Sequence, residues 1–407
     1  MARRRAVVVG AGVGGLAAAG ALVRDGWSVT LLEHGAEVRA TGSALALWPN
    51  ALRALEALDP NLGVHLRARD AMRGMVGLRT SDGRWLTRVT AGSESAGAGS
   101  GGGLTASPLM VTRAALHEAL RALVPAESLR VGRTVTAVDQ RGVEAVVHAH
   151  GDAGPEEYPA DLVVAADGVR SALRPAVDPR PAVRSAGYVT WRGLISPDLA
   201  PALESGSETW GRGQRFGFLQ LGSGGIYWYA TLAHADPRYR PEEFDAARRR
   251  DRLVELFASW HDPVGRVLAA TPPERIIRND VELLWPLPRT FVAGRLALLG
   301  DAAHAMTPDL GQGACLALED AVELATVLRA AAVADVPAGL PRYDRLRRAR
   351  TTGLARQARL LGRIGQLRHP WVAAVRDRLI SVVPANGAAR SLTAATDWQP
   401  TATTSAR

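Results

Sequence analysis

Ala6–Gly10 is a short, unbroken apolar run, fit for a buried strand. A glycine turn follows, then an Ala/Leu-rich helix that runs to Asp25–Gly26, then a second apolar strand, Val29–Glu33. Strand, helix and strand in so short a span form a βαβ unit, whose crossover is nearly always right-handed. Leu52, Leu55 and Leu58 share one face of a predicted helix over Leu47–Leu58, and Pro49 suits its first turn. Asp82–Gly83 lies between two extended runs and predicts a hairpin over Met75–Leu86. The stretch Ala91–Gly103 is Gly/Ser/Ala-rich and reads as a low-complexity loop. Beyond it, Thr112–Val124 predicts a helix, and Val143–His148 and Leu162–Ala166 predict strands.

The texture changes from about Pro181 to Ile277. Aromatic and glycine residues alternate over Tyr188–Leu194, Arg215–Leu221 and Ile226–Leu232, as in antiparallel strands, and an Arg/Glu-rich helix is expected over Pro241–Trp260. From Leu296 the pattern returns to an apolar strand, a loop and a long helix. The predicted class is α/β: a Rossmann-like nucleotide-binding domain with an inserted mixed, mainly antiparallel substrate-binding sheet, and C-terminal helices. The expected boundaries are 1–74, 104–180 and 278–340 for the nucleotide domain, with 75–103 and 181–277 for the inserted sheet. C-terminal helices should occupy 341–395, and 396–407 should form a flexible tail.

Composition changes this picture little. A 407-residue chain with 47% hydrophobic and 22% charged residues can bury a sizeable core. Its single Cys, Cys315, cannot form an internal disulfide, which fits a reducing, cytoplasmic setting, and it reads as a packed thiol. Arg3–Arg5 before an apolar run resembles a secretory signal or membrane anchor, but Gly10, Gly12, Gly14, Gly15 and Gly20 interrupt that run. Each costs a helix roughly 1 kcal/mol relative to Ala, so a soluble strand–turn–helix is expected, with no membrane span. The net charge of +9 is carried entirely by Arg. Residues 337–378 alone hold eleven Arg and two acids, so the rest of the chain sums to zero. A nucleic-acid partner would therefore rest on one stretch, and none is expected. That stretch is expected to solubilise the protein and to steer an anionic co-substrate. Either a monomer or a homodimer is compatible with the sequence.

Three segments carry candidate chemistry. In Gly10-Ala-Gly12-Val-Gly14-Gly15, a G-x-G-x-x-G between strand and helix, Gly10 permits the tight turn and Gly12 lets a diphosphate approach the backbone. Gly15 allows close helix–strand packing, and the helix N-terminus offers free N–H groups. Glu33 ends the second strand, where it can accept from ribose hydroxyls, which suits FAD or NAD rather than NADP. The second segment runs Gly300-Asp301-Ala-Ala-His304, Pro308, Gly311-Gln312-Gly313-Ala314, and the third is Asp167-Gly168-Val-Arg170-Ser171-Ala-Leu-Arg174. No metal-ligand spacing and no nucleophile elbow is present.

GAGVGG with Glu33, ADGVRSALR and GDAAHAMTPDLGQG, in this order and spacing, resemble the single-component FAD-dependent aromatic monooxygenases, the family of the para-hydroxybenzoate, salicylate and urate hydroxylases. The resemblance implies that Gly10, Gly12, Gly14 and Gly15 hold the FAD diphosphate, Glu33 with His34 the adenosine end, and Val135 a backbone position beside the adenine. It places Arg113 and Asp301 along the ribityl–diphosphate region, Gly311, Gln312, Gly313 and Ala314 along the isoalloxazine, and Asp167 in a dual FAD/NAD(P)H motif. The implied reaction consumes NADH or NADPH, adds O₂ at flavin C4a and transfers one oxygen atom to an aromatic or heteroaromatic small molecule. A flavin epoxidase or reductase on an alkene or terpenoid, or a flavin-binding protein without turnover, is the alternative. Pro308 would shape the flavin's reactive face. His304 is read as structural, with a base role as the alternative. Arg215 and Tyr227 match substrate-touching positions of the urate hydroxylase branch, and Arg215 reads equally well as half of a surface ion pair. Thr190 stands where that branch has Asn, which makes urate itself a poor fit. Gln220 is a further polar candidate for substrate contact.

Overall fold

A computed structural model of the chain describes residues 3–38, 44–70, 75–88, 108–203, 206–240, 246–382 and 394–401. The Gly/Ser/Ala-rich stretch 91–103 lies outside them. The first strand is Arg5–Val9, with every residue after Arg5 buried. It is paired in parallel with Ser28–Leu32 on one side and Leu162–Ala165 on the other. The sheet continues through Leu296–Leu298, and its six strands run in the order Val292–Ala293, Leu296–Leu298, Leu162–Ala165, Arg5–Val9, Ser28–Leu32, Leu129–Arg130. The helices Val13–Arg24 and Gly313–Leu328 cover it, and both are buried along most of their length, as their Ala/Leu content requires.

The middle of the chain forms a second, seven-stranded sheet in the order Ile277–Trp285, Ala182–Ile195, Ile226–Ala233, Gln214–Gln220, Gly206–Trp210, Met75–Thr80, Trp85–Arg88. All its pairings are antiparallel except that of Gly206–Trp210 with Met75–Thr80. The expected hairpin at Asp82–Gly83 is therefore an edge of this sheet. One boundary moves: Ile277–Trp285 pairs with Ala182–Ile195, so the inserted sheet ends after Trp285 rather than at residue 277. Period-two alternation divides the two faces. Val189, Trp191, Phe216, Phe218, Trp228 and Leu232 pack beneath the helices Ala246–Leu256 and Val264–Ala269. The opposite face looks toward the nucleotide domain.

The Arg-rich stretch is mostly one helix, Val336–Gly365, with a shorter one at Pro370–Val382. Leu354 and Ala358 turn to its buried side, with Leu361 and Ile364 half-buried further along. The tail expected from residue 396 is not free over its described part. Trp398 is 9% exposed and belongs to the main core, its Nε1 donates to Glu323 at 3.1 Å, and Arg53 donates to the Thr396 and Trp398 carbonyls. A tryptophan offers more apolar area than a chain end gains by fraying.

Candidate active site

Three strands end side by side. Arg5–Val9, Leu162–Ala165 and Leu296–Leu298 are parallel neighbours, so the segments after them leave the same edge of the sheet. These segments are the three motifs, at Gly10, Ala166–Gly168 and Gly300–Asp301. Ligands of parallel α/β sheets bind at that carboxyl edge.

The glycines differ in what they face. Gly10 has φ +97°, and a Cβ there would strike the Ala166 carbonyl. A Cβ on Gly15 would collide with the Gly10 carbonyl, and one on Gly14 would lie 2.5 Å from Leu299 Cδ2. These three serve the meeting of helix and strands. Gly12 has nothing within 4 Å, and neither has Gly313, the first residue of the helix Gly313–Leu328. Both helix starts thus present bare backbone to open space, the cradle that an extended diphosphate cofactor needs. Glu33 Oε2 accepts from the Ala11 N–H at 2.8 Å and Oε1 from the Gly35 N–H at 2.9 Å, so the carboxylate braces the glycine loop. Exposed His34 stands beside it, with Nδ1 2.9 Å from Glu33 Oε1. Val135 is buried in the strand Thr134–Arg141.

Arg113 opens the helix Arg113–Arg121, whose cap is Thr112, the Oγ1 accepting from Ala115 N–H at 3.2 Å. Burial and the nearby Arg192 charge lower its pKa, against the pull of Asp301. Its guanidinium makes no hydrogen bond among the described residues, and a half-buried cation with free donors there is suited to an anionic ligand. Asp301 is exposed at the start of the turn Asp301–His304, after Gly300 at φ +61°. Asp167 is largely enclosed: burial raises its pKa, while Ser171 and the backbone pull the other way, Oδ2 accepting from Ala172 N–H at 2.8 Å. Arg174 of the same motif donates to the Ala302 carbonyl at 3.3 Å, which ties the third motif to the second. Gln312 is buried, its Oε1 accepting from Asn50 Nδ2 at 2.9 Å. Gly311 is left-handed at φ +63°, and exposed Pro308 precedes it in the turn Pro308–Leu310.

His304 is fully buried, with Nε2 2.7 Å from Asp320 Oδ2. The same carboxylate accepts from Arg347 Nε at 2.6 Å and from the Gly300 N–H at 2.9 Å. Burial works against the Asp320 charge, yet His304 and Arg347 hold its pKa at about 2. His304 thereby braces, through Asp320, the Gly300 turn and is closed off from solvent. Cys315 is buried, and burial pushes its thiol up to about 12, as a packed, unreactive residue requires.

On the inserted sheet, register puts Thr190, Arg215 and Tyr227 on the face toward the nucleotide domain, because Thr190 and Arg215 both pair with Thr231 and Tyr227 pairs with Leu219. Gln220 does not join them. It has the parity of Phe216 and Phe218 and pairs with Ile226, on the far face, so its expected substrate contact is lost. Tyr227 lies in an apolar patch with Ala44, Met110, Leu219 and Leu221, bordered by Leu194 and Tyr229.

Arg215 is neither at the surface nor free. It is 4% exposed and bonded to Glu208, with Nη2 2.5 Å from Oε1, and to Asp309 through Nη1. Burial pulls its pKa down, but the two carboxylates outweigh that and raise it. Tyr188 donates to the other oxygen of Asp309 at 2.8 Å. Asp309 follows Pro308, so this cluster bolts the Pro308–Leu310 turn to the sheet. The end of the long helix closes over it: a Cβ on Gly365 would lie 2.9 Å from Arg215 Cδ, and Gln366 donates to Thr231 Oγ1 at 2.7 Å. Glu208, Asp309, Tyr188 and Gly365 were not singled out from sequence. The available signal was Arg215 itself, a charge within an apolar alternation that burial would oblige to find partners.

Residues 3–358 match the FAD binding domain family. The aurachin C monooxygenase/isomerase of Stigmatella aurantiaca is 32% identical over 377 residues, 93% of this chain and 94% of its own. The 2-heptyl-3-hydroxy-4(1H)-quinolone synthase of Pseudomonas aeruginosa is 34% identical over 382 residues, with the same shares covered. Among solved structures, Klebsiella pneumoniae HpxO complexed with FAD and uric acid superposes with a TM-score of 0.84 at 29% identity, covering 98% of each chain.

Proposed function

The chain belongs to the FAD binding domain family and is an FAD-dependent aromatic monooxygenase; from that premise we propose that it hydroxylates an uncharged heteroaromatic of the 4-quinolone type, with NAD(P)H as reductant and O₂ as oxygen source. One observation carries the choice of substrate. The Arg215 guanidinium, aligned with a substrate-touching position of the urate branch, is spent on Glu208 and Asp309. A urate-like anion would have to displace two carboxylates to reach it, whereas a neutral ring needs no counter-charge. Thr190 offers one short hydroxyl where an amide would grip a purine, and Tyr227 lies among apolar neighbours. The monooxygenase and synthase relatives favour hydroxylation over the epoxidase, reductase and passive-binder alternatives.

The residues fit the cofactor. Gly12 and Gly313 leave open backbone at two helix starts, and Arg113 and Asp301 supply a cation and an anion between them. Bound FAD would supply the redox chemistry, accepting electrons and activating oxygen. The chain would bind it through those N–H groups and hold its flavin end along Gly311–Ala314. The cluster around Asp309 fixes the turn that faces the substrate sheet, and Tyr227 with Leu219 and Leu221 excludes water from the ring's side. In this reading His304, buried and bonded to Asp320, serves the Gly300 turn rather than the reacting ring.

The test is substrate-dependent NAD(P)H oxidation with O₂ uptake, comparing 2-alkyl-4-quinolones with urate, and ¹⁸O₂ labelling of the product. Gain of one labelled oxygen on the quinolone is expected. Urate turnover exceeding that of every quinolone would overturn the proposal.

A further inference from the structure

The short helix Pro370–Val382 is fastened on one side only. Ala373 and Arg376 are buried, with Arg376 Nη2 donating to the Gly211 carbonyl at 3.0 Å. The other side is bare: Trp371 is 79% exposed, Val372 45%, Val375 57%, Leu379 58% and Val382 57%. At about 100° per residue these five fall within an arc of roughly 100°, a continuous stripe. They are half of the ten large apolar residues exposed among the described ones, so the exposure is concentrated here. Scattered single residues would need no explanation, but a stripe marks an interaction surface.

The rim of the stripe is cationic. Arg378 is exposed on the same helix, and Arg368 and His369 are exposed in the turn before it. The one acid between residues 363 and 382 is Asp377, which Arg376 already pairs at 2.8 Å. This charge pattern chooses the occupant. A second copy docking by two-fold symmetry would set like rims against each other, which costs free energy. An anionic lipid surface offers opposite charge to the rim and an acyl boundary to the stripe. Tryptophan favours that boundary, because its ring is apolar and its N–H is polar.

We propose that Pro370–Val382 is a peripheral membrane-docking helix that lies in the headgroup layer of anionic bilayers, with Trp371, Val375 and Leu379 turned inward. The docking is not a span, since no helix among the described residues is long and apolar enough to cross a membrane.

The experiment uses the full FAD-loaded chain in flotation with phosphatidylcholine vesicles, with and without about 30% phosphatidylglycerol, at low and high salt. Binding is expected to the phosphatidylglycerol vesicles, to weaken with salt, and to fall at least tenfold in the double variant Trp371→Glu, Leu379→Glu. The double variant Val375→Ser, Val382→Ser introduces no charge and should weaken binding severalfold. Both should keep bound FAD and NAD(P)H oxidation in vesicle-free buffer, which separates lost docking from lost folding. The proposal is overturned by an absence of vesicle binding, or by binding that either double variant leaves intact. It is equally overturned by a parent dimer that Trp371→Glu, Leu379→Glu converts to monomer, because the stripe is then covered by a second copy.

Discussion

Replacing Arg215 by Met keeps most of the side chain's volume and removes its charge. The structure sets the size of the effect. Glu208 and Asp309 have side chains 14% and 1% exposed, and both would lose their cation. Breaking a buried pair from one side costs about 3–5 kcal/mol, because the remaining charge is left uncompensated. An unfolding entropy of about 2.1 cal/mol/K per residue gives roughly 0.85 kcal/mol/K for 407 residues, so the melting temperature should fall by about 4–6 °C. Adding Asp309→Asn removes one stranded charge and should recover part of the loss, a coupling that two independent sites would not show. The assay is thermal release of FAD followed by flavin fluorescence at fixed scan rate, for the parent, both single variants and the pair. Steady-state kinetics on the same proteins separates the two readings of Arg215. A bolt on the Pro308–Leu310 turn lowers kcat with stability, whereas a substrate ligand raises KM and leaves stability alone. A melting temperature within 1 °C of the parent, with KM raised tenfold, would refute the bolt.

Other consequences follow from the same geometry. Gly12→Val should leave the apoprotein's melting temperature within about 1 °C, since a Cβ meets nothing within 4 Å, while weakening FAD at least tenfold in a fluorescence titration. Gly10→Val should instead unfold the protein, because the position combines φ +97° with a blocked Cβ site, and circular dichroism would show it. The Asp320 pKa is depressed to about 2, so its contribution to stability is complete above the ordinary carboxylate value near 3.8 and is lost as pH falls through 2. Asp320→Asn should therefore be destabilised at pH 7 and show a flatter acid-unfolding curve between pH 4 and 2. Cys315, with its thiol pushed up to about 12, should resist thiol reagents in native protein at pH 8 and react on unfolding.

The nucleotide side was legible because its logic is local. An apolar strand, a glycine turn and an Ala-rich helix are contiguous, and Gly15 answers a constraint within that unit, the Gly10 carbonyl, although the block on a Gly10 side chain comes from the distant Ala166. Even the meeting of three distant motifs follows once parallel strands are granted, since their ends share an edge. The face of Gln220 relative to Arg215 was legible as well, since residues five apart in one unbroken strand point to opposite faces. What sequence did not reveal is long-range pairing. Arg215 and Asp309 are 94 residues apart, and nothing local to either names the other. Trp398 is similar, since its burial depends on Glu323 and Arg53, each remote in sequence.

The Arg-rich stretch shows how one composition serves several physical ends. Read as a sum, +9 over residues 337–378 suggests a uniform basic surface. The fold divides it. Arg347 is 1% exposed and held by Glu319 and Asp320, where it anchors the carboxylate that supports the Gly300 turn. Arg350 bonds Glu319 and the Ala395 carbonyl, which ties the returning tail to the helix Gly313–Leu328. Arg348 is paired with Asp344, and Arg376 with Asp377. A guanidinium suits such places because it can serve two acceptors in fixed directions and stays charged when buried. The charge left to act at a distance is then that of the outward arginines, among them Arg356, Arg363, Arg368 and Arg378, of which Arg378 lies on the helix that carries the bare stripe and Arg368 in the turn before it. Steering of NAD(P)H and attraction to an anionic surface would draw on this same subset, so neutralising Arg363 and Arg378 should flatten the salt dependence of both. Neutralising Arg347 should change neither salt slope and should lower stability, and a variant of Arg347 that kept its stability while losing the salt response would break this division of labour.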